Sequence, residues 1–154
     1  MVGRLWDLAS AYKQLARTPA HASLAIVAVW NPRDKRTEYY KQVSLPFGAS
    51  ASVLGFNWVA CALCLCLLKL LAISASNFYD DFTVFELEAL AGSATESVES
   101  FFAILGWELK PLRGFSSTPE PLGAIVDLRD ARRGVCRITN NPSASKNCAA
   151  LSKR

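Results

Sequence analysis

The chain has 154 residues, half of them hydrophobic (51%) and a fifth charged (19%), with a formal net charge of +4. That length makes one domain with a real core, and that composition excludes an intrinsically disordered chain. The charge is uneven: Leu70 to Leu109 holds seven acids and no Lys or Arg, whereas from Arg129 onward seven bases face only Asp130, so one region suits cations and another suits phosphates or a solvated tail.

The opening "MVGRLWDLAS" lacks the apolar core a signal peptide needs. "GRLWDLAS" reads as a short strand ending at Asp7, followed by a turn into "AYKQLA". "SLAIVAVW", Ser23 to Trp30, is an apolar run of strand length, "NPRDKR" is a turn cluster, and "TEYYKQVSL" is the returning strand. Tyr39 and Tyr40 are neighbours on that strand and point to opposite faces, which fits an RNA-binding sheet poorly. Pro46 and Gly48 then break the chain, and Ser50 or Ser52 is placed to cap a long apolar helix.

Val53 to Ile73 is an apolar stretch of 21 residues, interrupted by small residues, Asn57 and Lys69, and long enough to cross a bilayer. A helix hydrophobic all round also serves the centre of an α+β domain, and that is the preferred reading. Cys61, Cys64 and Cys66 lie in this run and lack the second Cys or His pair that a zinc tetrahedron requires. All five cysteines are expected to be reduced thiols of an intracellular protein, cytoplasmic or nuclear.

"AISASNFYDDF" to "TVFEL" reads as two short strands with Asp80 and Asp81 at the reversal. Leu87, Leu90, Ala91, Ala94, Val98, Phe101, Phe102 and Leu105 recur at helical steps, and Gly106 stops that helix. "PLGAIVDL" and "GVCRIT" supply a final strand pair. The order predicts an α+β fold, an antiparallel sheet with both helices packed on one face.

Asp7 closes the first strand, and Asp80 and Asp81 sit at the tip of the central hairpin. If those strands are neighbours, three carboxylates converge, which is costly without bound cations. Mg²⁺ takes oxygen ligands and shares them with substrate phosphates, and two such ions about 3.5–4 Å apart can drive an in-line displacement. Ordinary roles exist for each residue alone: a turn for the Asp pair, a helix cap for Asp7, a core ring for Tyr12 or Phe47, a solvated surface lysine for Lys110.

Taken in order, "DLASAY", "LPFGASASVLGFN", "FYDD", "FFAILGWELK" and "PLGAIVDL" resemble the successive motifs of the palm domain of retroelement reverse transcriptases, RNA-directed DNA polymerases, from about Arg4 to Asn141. The resemblance implies a palm-like domain over 1–141 with a polar basic tail at 142–154. It implies nucleotidyl transfer from dNTP to a primer on an RNA or DNA template, with Asp7, Asp80 and Asp81 catalytic and holding two Mg²⁺ or Mn²⁺ ions. Tyr12 would screen the sugar 2′ position, Phe47 and Gly48 would meet template and incoming nucleotide, and Lys110 would donate to the leaving pyrophosphate.

The first motif begins at residue 7 and little follows the fifth, so fingers and thumb are read as missing segments of a longer polyprotein. The isolated chain is therefore expected to be inactive in primer extension. Asn57 stands where many relatives of that family carry Gln. The rival readings are a non-catalytic remnant with the same fold and, less favoured, a small membrane protein spanning at 53–73.

Overall fold

The computed structural model describes residues 1–111 and 113–141; the tail expected at 142–154, with Cys148, lies outside the described residues. In chain order the regular elements are β1 (Val2–Asp7), β2 (Ile26–Asn31), β3 (Arg36–Lys41), α1 (Ser50–Leu71), β4 (Ala75–Phe78), β5 (Asp81–Glu86), α2 (Ala91–Ile104), β6 (Ala124–Asp127) and β7 (Arg137–Asn140). The chain falls into two compact units, Ser10–Val59 and a larger one made of Met1–Ala9 with Ala60 onward.

The larger unit is built on a three-stranded antiparallel sheet in the order β1-β5-β4. Arg4 lies opposite Val84 and Trp6 opposite Phe82, so these four residues share one face. α2 covers that face, with Ala94, Val98 and Phe102 buried at four-residue steps. The Phe102 ring meets Phe82 edge-on at 5.3 Å, and Trp6 meets Phe115 in the same manner at 5.6 Å. Burying each such side chain contributes about 1.5–3 kcal/mol. Arg4 enters this apolar layer with its two terminal nitrogens paired: it donates to Thr95 at 3.1 Å and to Glu99 at 2.9 Å, and its guanidinium lies 4.4 Å from the Trp6 ring, while its Nε is buried without a partner.

α2 is shorter than the periodicity predicts. A 3₁₀ turn, Glu88–Leu90, precedes it, and Leu87, Leu90 and Leu105 are exposed. Its C-terminus follows expectation. Gly106 has φ of 77°, its N–H donates to the Ala103 carbonyl at 3.0 Å, and the Trp107 N–H reaches back to Phe102 at 2.8 Å. That pair of bonds is a Schellman stop, which needs the left-handed residue that glycine supplies without strain.

In Ser10–Val59 the expected hairpin forms, with β2 and β3 antiparallel in full register from Ile26↔Lys41 to Asn31↔Arg36. The Asn31 side chain shapes the reversal by accepting the N–H groups of Arg33 and Asp34. Ile26, Val27, Val29, Trp30, Tyr39 and Tyr40 are all exposed along it.

α1 starts at Ser50, and the Ala49 carbonyl takes the N–H groups of Ser52 and Val53, so Ser52 lies inside the first turn rather than capping it. The helix is long and apolar enough to cross a membrane by length and composition. It is not buried all round: Ser52, Phe56, Ala60, Leu63 and Leu67 form a buried stripe, whereas Leu54, Trp58, Leu65 and Leu68 are exposed.

The fold is α+β with antiparallel sheets and two α-helices, as expected. The strands do not join into one sheet, however; β2–β3 and β6–β7 are separate two-stranded ladders. The reason is the second edge of β1. Loop residues take it: Gly3 exchanges both main-chain bonds with Ser116, and Leu8 bridges Leu109. The main-chain groups of Gly3 and Asp7 on that edge thus go to loop residues and not to β6.

Gly3 also explains how that loop closes. A Cβ at Gly3 would meet Pro119 Cγ at 2.7 Å and a Phe85 ring carbon at 3.1 Å. Gly3→Ala is expected to cost about 1–3 kcal/mol, read as a lower urea midpoint. Adding Pro119→Ala is expected to recover part of the loss, and simple additivity of the two changes would exclude this contact as the cause.

Candidate functional site

Asp7 is the last residue of β1 and Asp81 the first of β5, and the antiparallel register sets them directly opposite each other, hence on one face of the sheet. That face is the reverse of the one α2 covers, since successive side chains alternate and Trp6 and Phe82 point the other way. Phe78 pairs with Asp81 across the β4–β5 hairpin, so Tyr79 and Asp80 are its two loop residues. Tyr79 carries φ of 54°, a value bulky side chains rarely adopt. The Asp80 carbonyl accepts the Leu8 N–H at 3.3 Å, which brings the tip of the hairpin against the end of β1. The expectation that positions 7 and 80–81 become neighbours in space is met.

Lys110 arrives by a different route. After the Schellman stop of α2, Glu108 accepts the Ala9 N–H at 2.8 Å and Lys110 donates its own N–H to the Asp7 carbonyl at 2.8 Å. The main chain thus fixes Lys110 beside Asp7, and its ammonium donates to Asp7 Oδ2 at 2.6 Å. Side-chain exposure is 48% for Lys110 and 21% for Asp7. The second carboxylate oxygen, Asp7 Oδ1, is buried without a hydrogen-bond partner. Asp7 is nonetheless reachable from solvent.

Like charges directly opposite on a sheet repel, and burial strips their hydration. Asp81 shows both effects: burial first, then the negative charges of Asp7 and Asp80, push its carboxyl above the usual carboxylate range, with Lys110 opposing. The hydrogen bond to Asp7 pushes the Lys110 ammonium up; burial opposes it, and the charges of Asp7, Asp80 and Asp81 add to the rise. Among the described residues no group of three or more His, Cys, Asp or Glu side chains is gathered closely enough to hold a metal. The arrangement is an opposed pair, Asp7 and Asp81, with Asp80 in the adjoining loop. A pair suits Mg²⁺, which usually keeps several waters and binds through one or two carboxylates.

The other three residues singled out by sequence lie in Ser10–Val59 and form a group of their own. Tyr12, in the 3₁₀ turn Ala11–Gln14, stacks on the buried Phe56 at 4.7 Å and 25°. Phe47 stands edge-on to Tyr12 at 5.5 Å and is 87% exposed, so the ordinary reading of a core phenylalanine fails there. Gly48 has φ of 87° and open space where a Cβ would stand. Sequence reasoning missed Phe56, the floor beneath Tyr12, and the tie of Lys110 to Asp7. The sequence carried no local signal for the second, which arises only because the chain returns along β1 after the stop at Gly106.

Compared with known proteins, the chain matches no family model and no curated protein.

The Asp81 shift makes a stability prediction whose sign can be worked out. A raised folded-state value favours the protonated form, so its stabilising contribution is complete below the unfolded carboxylate value, about pH 4, and is lost as pH rises through the folded one. Asp81→Asn is therefore expected to melt higher than wild type at pH 7 and to match it near pH 3. The gain is within about 0.5 kcal/mol, because half-exposed charges are screened. A lower melting temperature for Asp81→Asn at pH 7 would show that the carboxylate stabilises the fold.

Proposed function

We propose that this chain is a palm-like domain of reverse-transcriptase type, which takes part in nucleotidyl transfer from dNTP to a primer on an RNA or DNA template. The observation that supports the reading is the opposition of Asp7 and Asp81 at the ends of paired strands, with a buried, unpartnered oxygen on Asp7. A fold that only needed stability gains nothing from two carboxylates facing each other. A divalent cation turns that repulsion into attraction.

Asp7 and Asp81 are the residues that would hold Mg²⁺ or Mn²⁺, with Asp80 adding negative charge from the loop. Two such ions, when bound, would activate the attacking 3′-oxygen and steady the leaving one. The protein's own part is positional. Strand pairing holds the two carboxylates without a search over loop conformations, and Trp6 and Phe82 anchor the same strand ends from the opposite face. Tyr12 is held flat by Phe56, which suits a ring that a sugar must pass. Phe47 offers an exposed ring to a base, and Gly48 leaves the backbone beside it open to approach.

Divalent-ion binding tests the reading. Anything that binds only the native state raises stability by RT ln(1 + [L]/Kd), about 2.7 kcal/mol at a hundredfold excess over Kd. Mg²⁺ or Mn²⁺ is expected to raise the melting temperature of wild type by several degrees and to leave Asp7→Asn and Asp7→Ala unmoved. Equal shifts in wild type and Asp7→Asn, or none in wild type, would remove the metal centre and the polymerase reading with it.

A further inference from the structure

We infer that Lys110 is the resident counter-ion of the acid pair, and that a divalent cation and the Lys110 ammonium compete for Asp7. The inference rests on the metal-binding reading above and assigns that site an occupant of its own in the absence of metal. Two observations carry it. The ammonium donates to Asp7 Oδ2 at 2.6 Å, while Asp7 Oδ1 stays buried with no partner. A point charge on a flexible stem thus satisfies one of two oxygens and leaves the other orphaned, which a hard cation taking carboxylate oxygens would correct.

The anchoring of Lys110 makes it a tethered competitor rather than a passing ion. Its main-chain N–H is bonded to the Asp7 carbonyl, and Leu109 bridges Leu8, so its Cα stays beside the site whatever the side chain does. The side chain itself is half exposed, so its four-carbon stem can swing into solvent. Its charge acts on Asp81 as well as on Asp7, and Asp80 also faces it. A dication and an ammonium in van der Waals contact repel, so binding of the first at Asp7 Oδ2 requires release of the second. Lys110 is accordingly bound to Asp7 without metal and free with it.

The experiment uses the full chain and Mn²⁺, whose free ion is counted by electron paramagnetic resonance. Lys110→Met, which keeps the stem and removes the charge, is expected to bind Mn²⁺ roughly five- to tenfold more tightly than wild type, the scale of one unit charge near 4 Å in water. Binding in wild type and in Lys110→Met is expected to vanish in Asp7→Asn. The second measurement needs no variant: acylation of Lys110 by an amine reagent, read by mass spectrometry, is expected to rise when Mg²⁺ is added. Equal or weaker Mn²⁺ affinity in Lys110→Met, or unchanged labelling of Lys110 with metal bound, would overturn the competition while leaving the metal centre standing. No Mn²⁺ binding in either protein, or binding indifferent to Asp7→Asn, would overturn the centre itself. Should Lys110→Met fail to fold, the labelling of wild type decides alone.

Discussion

The structure turns on one cross-strand pairing: Asp7 of β1 against Asp81 of β5, two like charges on the same face with a strand's width between them. Everything around that pair holds it in place. On the far face, Trp6 and Phe82 are fully buried at the neighbouring register positions, so neither strand end can slip without exposing a large ring. A shift by one residue would send the acids into the layer beneath α2 and the rings out to water. The hydrophobic pattern of β1 and β5 therefore does two things. It builds the core, and it forbids the acids from relaxing apart.

The same economy explains Lys110. Nothing in a lysine four residues past a glycine announces a partner 103 positions away. The partner follows from the order of constraints: α2 must stop where its apolar stripe ends, Gly106 stops it with a left-handed turn, and the chain returns along the free edge of β1. Once Leu109 bridges Leu8, Lys110 has no choice of neighbour. Weak as a half-exposed ion pair is, its location is set by main-chain bonds that are not weak at all.

Much of this was legible in the sequence, and the parts that were not share a cause. The β4–β5 reversal at "FYDD", the β2–β3 hairpin at "NPRDKR" and the stop at Gly106 are local events, decided by residues within a few positions of one another. So was the convergence of Asp7 with the Asp pair, once the strands were taken as neighbours. The single sheet was not, because whether β6 joins β1 depends on Ser116 and Leu109 reaching that edge, and those residues carry no strand pattern. The start of α2 was drawn too early because Leu87 and Leu90 keep helical spacing yet face solvent from a 3₁₀ turn. α1 illustrates the same limit: an unbroken apolar run says nothing of which stripe is buried, and here Leu54, Trp58, Leu65 and Leu68 are not. The ordinary core reading of Phe47 fails for a like reason, since burial is a property of the surroundings.

Three departures from local rules meet around the acids. The hairpin that carries Asp80 and Asp81 turns through Tyr79 at φ 54°, and the chain leaving Asp7 turns through Ser10 at φ 55°, positions where glycine would be free of strain. Asp7 Oδ1 is buried without a partner, although most buried oxygens find one. Asp7 and Asp81 oppose each other where a Thr or an opposite charge would stabilise the ladder. Strain of this kind costs on the order of 1–3 kcal/mol per residue and persists only where the surrounding structure over-determines it. Here the surroundings do so through the Trp6, Phe82 and Phe102 layer. Positive φ at non-glycine residues also occurs at Lys35, Ala72 and Leu122, and Arg4 Nε and Trp6 Nε1 are buried without partners too, so what sets the strand ends apart is the cross-strand opposition of Asp7 and Asp81 with Lys110 beside it.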